Sequence, residues 1–308
     1  MKYIVGTRGS RLSLEQTSQI ISELKKSSPN TEYEIKTITT KGDTDSRPLF
    51  EINQRGIFAK EIDRAVLQGE VDFAVHSLKD VPSKLDDGLH LACVPRRHQA
   101  NDVLVSRDGI PPSSLRRGAL VGTSSLRRAV QMTRQRPDIT VRPIRGNIET
   151  RIKKAQKEYD AIVLAMAGIR RLGLDVRYFE LPADVFVPSP GQGALALVSR
   201  KGDDVVPVLQ KIEHRDSRLE AEAERAFSES VESGCRFPVG AHAVSGNSQV
   251  TLTAEAFSAD GKESLRAVVT GDKTDPRSIG QRAGEDMHRR GVGDLALNWR
   301  KKTEEWNR

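Results

Sequence analysis

The segment Val71-Asp72-Phe73-Ala74-Val75-His76-Ser77-Leu78-Lys79-Asp80-Val81-Pro82 begins as an apolar β-type run. It ends in imidazole, hydroxyl, ammonium and carboxylate groups closed by a proline. A buried strand that delivers ionisable groups at its carboxyl end is how open α/β sheets present chemistry to a ligand. Asp80 is therefore a candidate catalytic carboxylate. An isolated Asp-x-Pro more commonly caps a turn, so the assignment depends on what the rest of the chain can bring beside it.

Strand-to-helix junctions supply the cations. In Val121-Gly122-Thr123-Ser124-Ser125-Leu126-Arg127-Arg128 a strand meets a helix whose first turn carries hydroxyls and two guanidinium groups. A cation at a helix N-terminus opposes the macrodipole at about 0.3–1 kcal/mol each, so local stability does not explain Arg127 and Arg128. A bound anion would, because free amides, hydroxyls and guanidinium groups converge on it. Arg145 and Arg151 repeat the pattern in Ile144-Arg145-Gly146-Asn147-Ile148-Glu149-Thr150-Arg151, and Arg8 repeats it in Gly6-Thr7-Arg8-Gly9-Ser10. Any one of these arginines is as readily a solvated surface residue. Their recurrence points to a cleft that holds carboxylates bidentately.

Cys235 lies in Glu232-Ser233-Gly234-Cys235-Arg236-Phe237-Pro238-Val239-Gly240. Gly234 gives access and Arg236 favours the thiolate, which makes Cys235 a candidate nucleophile or attachment point. An incidental thiol is the commoner reading of such a cysteine. Cys93, inside the apolar run Leu89-His90-Leu91-Ala92-Cys93-Val94, reads as a small buried side chain. The histidines show no metal-ligand spacing, so no metal site is expected.

Positioning these groups requires a framework. Strand patterns at Tyr3–Thr7, Glu32–Thr40, Val71–Val75, Asp102–Ser106, Ala119–Thr123, Thr140–Ile144 and Ala161–Ala165 alternate with helical patterns. The helices start near Ser13 and recur at Phe58–Gln68, Ser125–Gln135 and Ile148–Lys157, with Ser13 and Gln16 at capping-box spacing. The alternation predicts parallel sheets covered by helices on both faces. Polar residues 95–101 and the breaker-rich Val187-Pro188-Ser189-Pro190-Gly191-Gln192-Gly193 predict two crossings that act as a hinge around a cleft. The expected architecture is α/β, with a discontinuous first domain (1–95 and 193–214), a second domain (101–188) and a smaller C-terminal α+β domain (216–308). That last domain combines helices at Ser217–Ser230 and Pro276–Arg290 with strands near Ala241–Ser245, Val250–Phe257 and Leu265–Thr270.

Composition narrows the function classes. A chain of 308 residues has room for two or three cores. With 37% hydrophobic residues and no apolar run near 18 residues, a transmembrane helix is excluded. Met1-Lys2-Tyr3-Ile4-Val5-Gly6 enters a strand pattern with no signal-type segment, so a cytoplasmic location is expected. Two distant cysteines argue against a disulfide framework. A net charge of +7 and a pI near 9.4 call for an anionic partner. Aromatic content of 5%, with neither zinc-finger spacing nor a P-loop, turns this away from nucleic acid and toward small carboxylates.

Several ordered motifs together resemble the porphobilinogen deaminase (hydroxymethylbilane synthase) family. They are Thr7-Arg8-Gly9-Ser10, Ala74-Val75-His76-Ser77-Leu78-Lys79-Asp80-Val81-Pro82, the Val121–Arg128 junction, Arg145-Gly146-Asn147, Pro190-Gly191-Gln192-Gly193-Ala194 and Gly234-Cys235-Arg236-Phe237-Pro238-Val239-Gly240. The resemblance implies two type 2 periplasmic-binding-protein-like domains with a cleft and hinge, followed by a third domain. It implies a transferase of tetrapyrrole (heme, porphyrin) biosynthesis that joins four porphobilinogen molecules head to tail. Four ammonia are lost and the linear tetrapyrrole hydroxymethylbilane is released. The primer is a dipyrromethane cofactor, which the family makes from its own substrate and holds through a thioether at the cysteine matching Cys235.

The resemblance also distributes roles. Asp80 matches the carboxylate that faces the pyrrole nitrogens, stabilises the cations formed on ammonia loss and carbon–carbon bond formation, and relays the proton. Lys79, Thr123, Ser125, Arg127 and Arg128 fall to the cofactor together with Asp80 and Cys235. Arg8, Ser10, Ser77, Arg145, Arg151, Arg55 and Phe58 fall to the substrate and the growing polypyrrole. Arg55 departs from the pattern, since the family usually carries lysine there and the exchange is not geometrically neutral. A monomer without nucleic-acid or membrane partners is expected. The competing reading is a non-catalytic two-lobed binding protein for a small carboxylate, which would have no use for Cys235.

Overall fold

The computed structural model describes residues 1–44, 56–155, 157–231, 238–295 and 299. The chain first builds β1 (Lys2–Thr7), α1 (Arg11–Ser27), β2 (Glu32–Thr37), α2 (Lys41–Thr44), α3 (Lys60–Leu67), β3 (Phe73–Ser77) and β4 (Leu89–Cys93). It crosses into β5 (Asp102–Ser106), β6 (Leu120–Gly122), α4 (Leu126–Gln135), β7 (Thr140–Arg142), α5 (Ile148–Ala155), β8 (Ala161–Ala165), α6 (Met166–Arg171) and β9 (Tyr178–Glu180). It then returns as β10 (Leu195–Arg200) and α7 (Val206–Leu209). A third group follows: α8 (Arg215–Val231), β11 (Val239–Ser245), β12 (Gln249–Phe257), β13 (Ser264–Asp272) and α9 (Pro276–Arg289).

Two five-stranded sheets share one design, ordered β2-β1-β3-β10-β4 and β7-β6-β8-β5-β9. In each, the strand that arrives from the other unit is antiparallel to its neighbours: β10 against β3 and β4, β5 against β8 and β9. The sheets are therefore mixed, which corrects the parallel sheets that the alternation predicts. A β-α-β step re-enters its own sheet by a right-handed crossover and is parallel, as for β1 with β2 and β6 with β7. A strand coming from the other unit enters at the end nearest the crossing and runs the other way. Two such units exchanging strands make the type 2 binding-protein-like pair that the sequence led us to expect.

Helices cover both faces of each sheet. Ile20, Ile21 and Leu24 of α1 pack on Tyr3, Val5, Phe73 and Val75, while Ile62, Ala65 and Val66 of α3 pack on Ala74 and Val198 from the opposite side. In the second unit Met132 of α4 meets Val121 and Val163, and Ile152 of α5 and Ile169 of α6 meet Ile162 and Leu164. The antiparallel sheet β11-β12-β13 is covered on one face by α8 and α9, with Phe227, Ile279 and Met287 against Leu252 and Ala254. Each fully buried side chain of this kind contributes about 1.5–3 kcal/mol.

Two local readings change. The cap of α1 is Ser10, whose Oγ accepts from the Ser13 amide at 3.2 Å. Gln16 does not reach back to a cap; it is buried and its Nε2 donates to Ser77 Oγ at 3.0 Å, because its face of α1 lies on β3. β3 itself runs to Ser77 rather than ending at Val75, and Leu78–Asp80 form a single 3-10 turn beyond it.

Candidate functional site

Asp80 leaves the sheet on that 3-10 turn. The turn is held against the second crossing: Leu78 N donates to Ala194 O at 3.0 Å. Gly191, at φ +73°, passes so close that a Cβ would stand 2.9 Å from Lys79 N, so glycine alone fits there. Asp80 is half-buried and, among the described residues, has no ion-pair partner within 4 Å. Lys79 beside it is exposed. The surrounding protein desolvates its ammonium, Arg128 and Arg127 repel it, and it is pushed down to about 8 against the opposing pull of Asp80 and Asp102. Desolvation by the protein packed around the ammonium and the two nearby guanidinium groups set the direction.

Arg127 and Arg128 occupy the first turn of α4, whose N-cap is Ser125. Both are buried, and the anion they meet is internal. Asp102 Oδ2 accepts from Arg127 Nη2 at 2.7 Å, and its Oδ1 accepts from Arg128 Nε at 3.0 Å and Nη2 at 2.6 Å. Burial would raise this carboxyl, but the two guanidinium groups outweigh it and hold Asp102 far below the usual range. Thr123 is buried and its Oγ1 accepts from Ser125 N at 3.2 Å, so this hydroxyl shapes the turn ahead of the helix.

Arg151, in the first turn of α5, donates from Nε to Gly146 O at 2.7 Å and has no carboxylate partner among the described residues. Burial first, and then the neighbouring cations Arg128 and Arg145, push it down to about 10. Lys79, Asp80, Arg127, Arg128, Arg145 and Arg151 thus form one neighbourhood drawn from both units. Like charges that lower one another's pKa in a cleft would be relieved by a polyanion.

Arg8 lies in a separate arrangement. It ion-pairs with Asp43, with Nε to Oδ1 at 3.1 Å, and its guanidinium sits 4.2 Å from the Phe58 ring centroid. Thr40 holds Asp43 through its amide and hydroxyl; burial opposes ionisation of Asp43, but the bonds from Arg8 and Thr40 prevail and lower its pKa. Ser10 caps α1 and Ser77 is bonded to Gln16. Arg55 and Cys235 lie outside the described residues.

Motif reading missed Asp102, Gln192, Arg97 and Glu224. Gln192 Nε2 donates to Asp102 Oδ1 at 2.7 Å and to Ala100 O at 2.6 Å, while Arg97 pairs with the buried Glu224 at 2.7 Å. An aspartate heading the apolar strand Asp102-Val103-Leu104-Val105 was the available signal, since a fully buried carboxylate requires a partner. Among the described residues no group of His, Cys, Asp or Glu is arranged to hold a metal ion, and no helix is long and apolar enough to cross a membrane.

One pH dependence follows from Lys79. It is cationic below about pH 8 and neutral above, so the positive charge of this neighbourhood falls as pH rises through that value. Binding of a small dicarboxylate to the free protein is expected to show an alkaline limb near pH 8 that disappears in Lys79→Arg, whose charge persists. A limb unchanged by that substitution would assign it to another group.

Comparison with known proteins identifies the family. The family described as porphobilinogen deaminase, dipyromethane cofactor binding domain, matches residues 3–207, and the porphobilinogen deaminase C-terminal domain matches residues 218–289. A probable porphobilinogen deaminase from Nitrosopumilus maritimus is 67% identical over 310 aligned residues, covering 100% of both chains. Porphobilinogen deaminases from an Exiguobacterium species and from Brevibacillus brevis are 46% and 41% identical, each covering 96% of this chain and 97% and 96% of their own. The chain belongs to the porphobilinogen deaminase family.

Proposed function

We propose the following division of labour for the family's reaction, the transferase condensation of porphobilinogen into hydroxymethylbilane in tetrapyrrole biosynthesis. Asp80 is the carboxylate that balances the positive charge left when ammonia departs, and it carries the proton released as the new carbon–carbon bond restores the pyrrole. Lys79, Arg128, Arg145 and Arg151 hold the acetate and propionate groups, with Arg127 fixing the helix end from which Arg128 projects. Arg8 and Phe58, with Ser10, Ser77 and Arg55, receive the incoming substrate. Thr123 and Ser125 shape the turn that faces the cofactor. Dipyrromethane, held by Cys235, supplies the primer from which the chain is extended. The observation that carries this reading is the carboxylate of Asp80, without an ion-pair partner among the described residues, beside cations contributed by both units.

The proposed domains are 1–95 with 193–214, 101–188 and 216–308, in support of which each range contains one sheet. A monomeric, cytoplasmic enzyme is proposed with them. A non-catalytic binding protein is not favoured, because relatives spanning the whole chain are porphobilinogen deaminases. Intact-protein mass spectrometry tests the assignment. The expected result is a mass excess of two linked pyrrole units localised to Cys235, together with hydroxymethylbilane formation from porphobilinogen. An unmodified mass in an active preparation would overturn the cofactor assignment.

A further inference from the structure

Arg127 and Arg128 are bonded to more than Asp102. Arg127 Nη1 donates to Val187 O at 2.8 Å, and Arg128 Nη2 donates to Gln192 Oε1 at 3.2 Å. Val187 and Gln192 belong to the second crossing, whereas Ala100 and Asp102 belong to the end of the first. Gln192 joins the two directly, through Ala100 O and Asp102 Oδ1. The crossings also touch backbone to backbone: His98 N donates to Gly193 O at 3.2 Å, and a Cβ on Gly193 would stand 2.4 Å from His98 O.

We propose that Asp102 is the positioning residue of the Arg127–Arg128 pair and that, through it, these guanidinium groups clamp both hinge crossings, so that anion binding and the angle between the two units are coupled. This rests on the reading of the arginine pair as cofactor-binding. With Nε and Nη2 of Arg128 bonded to Asp102, Nη2 also to Gln192, and Nη1 to Val163 O at 3.3 Å, the guanidinium plane is fixed and what it can offer a ligand is narrowed to its remaining Nη1 N–H. A ligand carboxylate that draws on either guanidinium competes with Asp102, and thereby with the bonds that hold residues 100–102 beside residues 187–192. Coupling of this kind is reciprocal: a change of hinge angle that shifts Gln192 alters the aim of Arg128, and with it the affinity for anions. A growing polyanion can then bias the cleft toward the width that it needs.

The test compares wild type with Asp102→Asn, Asp102→Glu and Gln192→Met as full-length chains incubated with porphobilinogen. Thermal melting, the fraction carrying the covalent dipyrromethane by intact mass, and KM and kcat of that fraction are measured. Asp102→Asn is expected to lower cofactor incorporation and raise KM at least tenfold in the folded fraction. Asp102→Glu restores the charge but displaces it by a methylene; it is expected to recover the melting temperature without recovering KM. Gln192→Met, which leaves the Asp102 ion pairs intact, decides the matter if Asp102→Asn does not fold: its KM is expected to rise several-fold with little change in melting. Folded variants whose incorporation and KM stay within twofold of wild type would reduce Asp102 to a purely structural counter-ion. Inactive wild-type protein would instead defeat the proposed function and leave its incorporation data to speak for the clamp.

Discussion

Asp80→Ala is expected to fold as the wild type does and to lose porphobilinogen turnover by about 10²–10⁴-fold, the range for a positioned group that balances charge and moves a proton. The side chain is half-buried and, among the described residues, ion-pairs with nothing, so its removal breaks no such native contact. Its neighbours Lys79, Arg127 and Arg128 would repel a cationic centre if Asp80 were absent, and the penalty therefore falls on the step that creates positive charge. Asp80→Asn separates charge from shape. It should be nearly as inactive as alanine while melting at the wild-type temperature. Turnover above about a tenth of wild type in the asparagine variant, less than one factor of ten or about 1.4 kcal/mol of barrier, would remove Asp80 from the central role.

Glu224→Ala is expected to cost about 3–5 kcal/mol of stability, the usual consequence of removing one partner from a buried ion pair. Glu224 is 0% exposed. It accepts from Arg97 Nη1 at 2.7 Å and Nη2 at 3.2 Å, from Gly191 N at 2.6 Å and from Ala243 N at 2.8 Å. One carboxylate of α8 thus ties both hinge crossings to β11. Burial alone would lower the pKa of Arg97, and Glu224 with Glu220 outweighs it. Without Glu224 that burial is opposed by Glu220 alone, and because a guanidinium does not deprotonate near neutral pH it is left as a poorly compensated buried charge. Glu220, 3.5 Å from Arg97, offsets part of the loss and favours the lower end of the range. Denaturant unfolding with the slope held in common measures the effect. Glu224→Gln, which keeps an acceptor, should lose less, and a loss under about 1 kcal/mol in the alanine variant would mean that water or Glu220 compensates Arg97.

The site was legible in unequal degrees. Asp80, Lys79 and the junction arginines announce themselves because ionisable residues at the ends of apolar runs break a local pattern. The same local reading required an external anion to explain Arg127 and Arg128, since nothing nearby in sequence could pair with them. Asp102 lies 25 residues before Arg127 and Gln192 lies 64 residues after Arg128. No periodicity relates them; folding the two crossings side by side does.

The sequence by itself determined the family, the α/β class and the residue types available for chemistry. These follow from local patterns that a strand of period two, a helix of period 3.6 and a glycine–proline turn impose wherever they occur. Only the tertiary structure decided which cations are engaged and which stand ready for a ligand. Arg127 and Arg128 share an internal carboxylate, Arg8 is held by Asp43, and Arg151 is left without one among the described residues. It also decided that β5 and β10 run antiparallel, because their direction is set by the side from which each arrives. Charge pairing and strand direction are properties of separation in space, and separation in sequence does not report them.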